Sequence, residues 1–164
     1  MLKMHDLLQE MGQDIVRRES IKSPERRSRL WKLEEVIDVL KKNKENDDVE
    51  GIILDWRSWD KSLSSNSDLR SWDKSLSLNS DFLEKMTRLR FFKIDGHDWY
   101  FNENSNICLV DNGLKSFSDK LRYFHWDNYY MEALPSNFNI EYLVVLIMRG
   151  SKPKKLWDGI QVRI

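Results

Sequence analysis

The chain has 164 residues, 27 of them Lys or Arg and 27 Asp or Glu, so its formal net charge is zero; 40% are hydrophobic. That length allows one ordinary domain or two small parts of a larger assembly, and the balanced charge gives no reason to expect nucleic acid or an anionic membrane as partner. No run approaches the ~18 apolar residues of a membrane span, polar residues interrupt Met1–Met11 before a leader could form, and the single cysteine, Cys108, rules out an internal disulfide. A reducing setting, cytosolic or nuclear, is the expectation.

The first element reads as a helix. Leu7, Leu8, Met11, Ile15 and Val16 fall on one face at helical spacing, Asp6 is placed to cap the start with Gln9 three residues on, and Arg17 and Arg18 suit the negative end of the dipole. A basic polar loop containing Pro24 follows over Ser20–Ser28. Lys32–Lys42 reads as a second helix, with Leu33, Val36, Ile37 and Leu40 on its apolar face and Lys41, Lys42 and Lys44 crowding its C-terminal end. Asn43–Asp48 is a turn or linker. At Val49–Trp56 the period changes to alternation, which places Ile52, Leu54 and Trp56 on one face of a strand.

A duplication comes next. Arg57-Ser58-Trp59-Asp60-Lys61-Ser62-Leu63-Ser64 recurs 13 residues later as Arg70-Ser71-Trp72-Asp73-Lys74-Ser75-Leu76-Ser77. Asn66-Ser67-Asp68-Leu69 is echoed by Asn79-Ser80-Asp81-Phe82. A folded repeat keeps its core and varies its surface; near-identity across both marks a recent tandem duplication, with one copy expected as a surface-loop insertion.

From Asp81 the pattern becomes regular. Asp81 and Glu84 suit the cap of a short helix through Lys85. An apolar spacing then appears at Met86, Leu89, Phe92 and Ile94. It returns at Leu121, Phe124 and Trp126, with Ser118 in the first place, and again at Ile140, Leu143, Leu146 and Met148. Leu89 and Leu121 are 32 residues apart, Leu121 and Leu143 are 22. The second interval lies in the ~20–29-residue range of leucine-rich repeats, whose units stack to share one core. The first implies an enlarged unit with Gly96–Asn106 bulging out. Leu134-Pro135 and Phe138 would lie on the returning, convex side.

These residues carry a family resemblance. The chain resembles plant intracellular immune receptors of the nucleotide-binding leucine-rich-repeat class that begin with a Toll/interleukin-receptor-type domain. The carrying pieces are Met4-His5-Asp6-Leu7-Leu8-Gln9-Glu10-Met11-Gly12, Ile15-Val16-Arg17, Arg27-Ser28-Arg29-Leu30-Trp31, Val49-Glu50-Gly51-Ile52, Met86-Thr87-Arg88-Leu89-Arg90, Leu121-Arg122-Tyr123, Leu134-Pro135-Ser136-Asn137-Phe138 and Lys155-Leu156-Trp157-Asp158-Gly159-Ile160. In joint order they span all but about residues 57–80 and 95–115.

The resemblance implies an α/β fragment: residues 1–44 as the helical winged-helix end of a nucleotide-binding module, 45–85 as a connector holding the duplication, and 86–164 as the first leucine-rich repeats, a short solenoid with parallel strands. It implies that His5 contacts a phosphate of ADP in the full receptor and that Asp6 holds the motif in place. The chemistry fits, since imidazole can donate to phosphate and a neighbouring carboxylate can orient it. ADP and ATP are then cofactors of the full receptor, with none expected for the isolated fragment, because these residues hold no Gly-x-x-x-x-Gly-Lys-Ser/Thr phosphate loop. Neither that loop nor a Toll-type NAD-hydrolysing domain lies within the 164 residues, so no enzyme is expected here. Pro153 stands where relatives commonly carry an aliphatic residue, and the duplication is not a family feature.

Other readings stand beside these. Without the resemblance, His5 and Asp6 describe no more than a capped helix start. His97, Asp98, Cys108 and His125 match no compact zinc spacing, and no Gly-x-Ser-x-Gly elbow supports a hydrolase. If residues 89, 92 and 94 point inward, strand alternation puts Phe91, Lys93 and Asp95 on the concave face. The same register places Tyr123, His125 and Asp127 there, then Val145, Ile147 and Arg149. This aromatic, charged and aliphatic mixture suits a protein contact; the alternative is a solvated sheet face. By the resemblance, the partner is the receptor's own nucleotide-binding module, with a pathogen effector or host protein as a further partner. The runner-up function is a truncated repeat-only adaptor or decoy that binds protein without nucleotide.

Overall fold

Parallel pairing organises the protein. The computed structural model describes residues 6–42, 47–55, 76–96, 107–109, 114–136, 138–151 and 153–156. In chain order the elements are α1 (Asp6–Glu19), a 3₁₀ turn (Pro24–Arg26), β1 (Arg29–Leu30), α2 (Leu33–Lys42), β2 (Gly51–Asp55), β3 (Leu76–Leu78), β4 (Phe91–Asp95), β5 (Ile107–Leu109), β6 (Tyr123–Trp126) and β7 (Val145–Ile147). Five strands form a parallel sheet in the order β1-β2-β4-β6-β7, and β3 pairs with β5, also parallel, in a second sheet. The α/β class with parallel strands is as expected.

The register explains the core. Leu30, Ile52, Phe92, Phe124 and Leu146 lie in one row across the five strands, and Leu54, Ile94 and Trp126 form a second row two residues on. All are buried except Leu146, on the edge strand, which is 36% exposed. Met86 and Leu89 ahead of β4 and Leu121 ahead of β6 are buried too, so the apolar spacing marks inward positions. Ser118 fills its apolar slot because its polar atoms are used: Oγ donates to the Thr87 carbonyl at 2.9 Å and accepts from the Lys120 N–H at 3.2 Å. Phe117 and Phe138 are buried and pack edge-on to each other at 5.3 Å. Tyr129 is buried and its O–H donates to the Ala133 carbonyl at 2.8 Å. Burial, and secondarily Tyr130, raises its pKa above the ordinary tyrosine range.

Several expectations change. α2 buries Val36, Val39 and Leu40, while Leu33 and Ile37 are only partly covered. The Asp81–Lys85 helix is absent: Glu84 N–H donates to the Asp81 carbonyl at 2.9 Å and Met86 N–H to the Leu83 carbonyl at 3.1 Å, a chain of i→i+3 turns. Asp81 Oδ1 is buried with no hydrogen-bond partner among the described residues. β1 arises where sequence periodicity is too short to register, since two residues suffice once Leu30 can enter the core row. Trp56 and the first copy of the duplication lie outside the described residues. The second copy supplies β3, with Leu76, Leu78 and Phe82 all buried. The first copy offers Ser65 and Leu69 in place of Leu78 and Phe82, which would put a hydroxyl and a smaller side chain in the same sites.

The turn after β6 is fixed by glycines. Asn128 has φ +57° and Gly150 φ +66°. Gly96 and Gly150 flank the Asn128 amide so closely that a methyl group at Gly150 would collide with its Oδ1. Gly12, within α1, faces open space.

The two glycines are expected to respond oppositely in urea unfolding. Gly150→Ala should lose about 1–3 kcal/mol, from strained backbone and a steric clash, whereas Gly12→Ala should gain up to about 1 kcal/mol of helix propensity. Leu78→Ser should cost about 2–5 kcal/mol, the range for truncating a buried leucine; a cost within error of zero would show that β3 is not anchored by that side chain.

Candidate interaction face

Alternation along each strand leaves a second set of side chains on the face opposite the core. The register puts Gly51, Phe91, Tyr123 and Val145 in one row and Ile53, Lys93, His125 and Ile147 in the next, with Asp55 beside Asp95 beyond them. Because Gly51 has no side chain, the first row is effectively Phe91, Tyr123 and Val145. The Phe91 and Tyr123 rings stack with centroids 4.3 Å apart and planes 10° apart, a cross-strand pair of the kind that adds about 0.5–1.5 kcal/mol beyond area burial. Both are half-buried, as are Val145 and Ile147.

The charged residues are engaged with one another. Lys93 Nζ lies 2.8 Å from Asp95 Oδ2, with both side chains largely covered. His125 Nε2 lies 2.7 Å from Asp127 Oδ1, and these two are 3% and 7% exposed. A carboxylate only accepts, so Nε2 is the protonated nitrogen. Nδ1 is buried with no hydrogen-bond partner among the described residues.

The expected nine-residue face therefore divides. Phe91, Lys93, Asp95, Tyr123, Val145 and Ile147 are at least partly accessible, and Arg149 is exposed. His125 and Asp127 are not: both are buried, and they are hydrogen-bonded to each other. The i, i+2 spacing of an imidazole and a carboxylate on one strand face was the available signal. Sequence reasoning also missed Ile53, at 37% exposure in line with Lys93, because β2 was read only for its inward residues.

Asp6 opens α1 and is exposed; His5 lies outside the described residues. Only Val16 of α1 is buried, while Leu7, Leu8, Met11 and Ile15 are each more than half exposed. Among the described residues no group of three or more His, Cys, Asp or Glu could hold a metal. His97 and Asp98 lie outside them, and His125 is committed to Asp127. No described helix is long and apolar enough to cross a membrane.

Comparison with known proteins then decides the family. A leucine rich repeat family matches residues 142–161, which begin just before β7. The chain is 33% identical over 158 residues to disease resistance protein TAO1 of Arabidopsis thaliana, covering 96% of this chain and 12% of that protein. It is 34% identical over 161 residues to disease resistance-like protein DSC2 of the same plant, covering 98% and 12%. With disease resistance protein RUN1 of Vitis rotundifolia it shares 34% identity over 176 residues, covering 96% and 12%. The chain belongs to the nucleotide-binding leucine-rich-repeat disease resistance proteins. It spans about an eighth of the length of these family members. No solved structure matches.

His125→Glu is expected to destabilise the chain by about 3 kcal/mol or more, since it replaces the partner of a buried carboxylate with a second carboxylate. Lys93→Glu, at a partly open position, should cost much less. Thermal unfolding of the two variants side by side checks the ranking; equal losses would mean that His125 is not buried in solution.

Proposed function

We propose that this segment couples a nucleotide-dependent switch to a repeat domain in a plant disease-resistance receptor, and that its sheet face holds the receptor in its resting state. On this reading His5 donates to a phosphate of ADP, Asp6 fixes the motif, and residues 1–44 end the nucleotide-binding module. Residues 45–85 form the connector, and 86–164 begin the repeats. The partner of the sheet face is that same module. A pathogen effector or host protein is the partner that competes with it.

The observation that carries the reading is the state of α1. A helix with four large apolar residues on one stripe does not leave them all open unless something packs there. This helix begins at Asp6, the last residue of Met4-His5-Asp6, and the family members are about eight times as long as the matched segment. A helix finishing a larger module accounts for both. The face residues Phe91, Tyr123, Val145, Ile147 and Ile53 supply apolar area, with the Lys93–Asp95 pair and Arg149 at its rim, an arrangement suited to a specific and releasable contact.

The test uses a full-length receptor carrying this segment. Lys93→Glu combined with Phe91→Ala should raise basal defence signalling without ligand, because it removes an anchor and introduces a repulsive charge. A receptor that stays fully silent, yet is expressed and still responds to its trigger, would refute the resting-state contact. His5→Ala should reduce retention of ADP by the purified full-length protein; undiminished retention would refute the phosphate role.

A further inference from the structure

The contacts that tie α1 to the sheet are concentrated at one end. Along most of its length the helix buries only Val16. At its C-terminal end the Glu19 carboxylate accepts the Ser28 backbone N–H at 2.6 Å and the Ser28 hydroxyl at 2.8 Å. Next to Ser28 stands Arg27, 3% exposed. Its Nε donates to the Ser20 carbonyl at 2.6 Å, Nη2 to the Ile21 carbonyl at 3.1 Å and Nη1 to Glu35 Oε2 at 2.8 Å.

These acceptors sit on different elements. Ser20 and Ile21 are the first residues after α1; Glu35 is in the first turn of α2. Immediately beyond, the Ser28 carbonyl accepts from the N–H groups of Glu50 at 2.8 Å and Gly51 at 3.1 Å, and Arg29–Leu30 join the sheet as β1. Within four residues the chain passes from gripping the end of α1 to entering the core.

We propose that Arg27 is the positioning residue that sets the direction of α1 relative to the five-stranded sheet. A buried guanidinium cannot shed its charge and must keep its acceptors. Three acceptors in the plane of one fork fix orientation as well as distance. Lysine retains the charge but offers a single flexible nitrogen, which cannot hold Glu35 and both loop carbonyls in the same geometry. Since Met4-His5-Asp6 adjoins the far end of α1, the direction of the helix also sets where that motif lies. This consequence rests on the reading proposed above; the positioning role does not.

The experiment measures distances in the whole chain by paired spin labels at Glu10→Cys and Lys120→Cys, both exposed sites, on a Cys108→Ser background. Arg27→Lys is expected to broaden and shift the distance distribution while the near-ultraviolet circular dichroism of the aromatic core stays at the parent level. An unchanged distribution would overturn the proposal. If Arg27→Lys also loses the aromatic signal, Glu35→Gln decides: it weakens one arm of the fork and leaves the other two, so a smaller broadening supports the proposal and a parental distribution overturns it. In a full-length receptor, unaltered basal signalling together with a broadened distribution would refute the switch reading and leave the positioning role standing.

Discussion

Phe92 is the contact on which the rest of the structure depends. Its ring lies 5.9 Å from Phe124, 5.8 Å from Trp126, 6.4 Å from Phe117 and 6.5 Å from Phe82. Those partners come from the next strand, from the segment before β6, and from the end of the duplication. Each unit of strand and return presents an apolar row it cannot cover alone, and Phe92 is where the rows meet. The parallel register follows, because a one-residue slip would turn every inward side chain outward. With the inward set fixed, so is the outward one, and the stacked Phe91–Tyr123 pair is the complement of the buried Phe92–Phe124 pair one residue on.

The same dependence accounts for the two ends. At β7 the row runs out, and Leu146 is partly exposed because no further strand lies beside it among the described residues. At β1 the row begins with Leu30, brought into place by a loop that also holds the end of α1. The first helix is thereby attached without joining the core cluster: its one buried residue, Val16, lies outside it. Its attachment is through side-chain hydrogen bonds of Arg27 and Glu19, whereas the strands are joined by backbone pairing and by the buried apolar rows between them. Apolar contacts reward area with little regard for angle; a planar fork of hydrogen bonds rewards angle.

The candidate face shows why outward side chains need more than alternation to interpret. Lys93, Asp95, His125 and Asp127 alternate alike, but their i, i+2 spacing lets Lys93 pair with Asp95 and His125 with Asp127. What is left accessible is more apolar than the sequence suggested: Phe91, Tyr123, Ile53, Val145 and Ile147.

Sequence periodicity determined much of this protein by itself. The inward positions Ile52, Leu54, Met86, Leu89, Phe92, Ile94, Leu121, Phe124 and Trp126, both helices, the parallel α/β class and the family follow from spacing and motif, because a repeat writes its core into every unit. Tertiary structure alone decided the rest. It made β1 from two residues, paired β3 with β5, and took β3 from the second copy of a duplication whose two versions differ chiefly at the positions that become buried. It replaced an expected helix at Asp81–Lys85 with turns, left the apolar stripe of α1 open, and withdrew His125 and Asp127 from the surface. Each of these depends on what lies across from a residue in space, which local periodicity does not record.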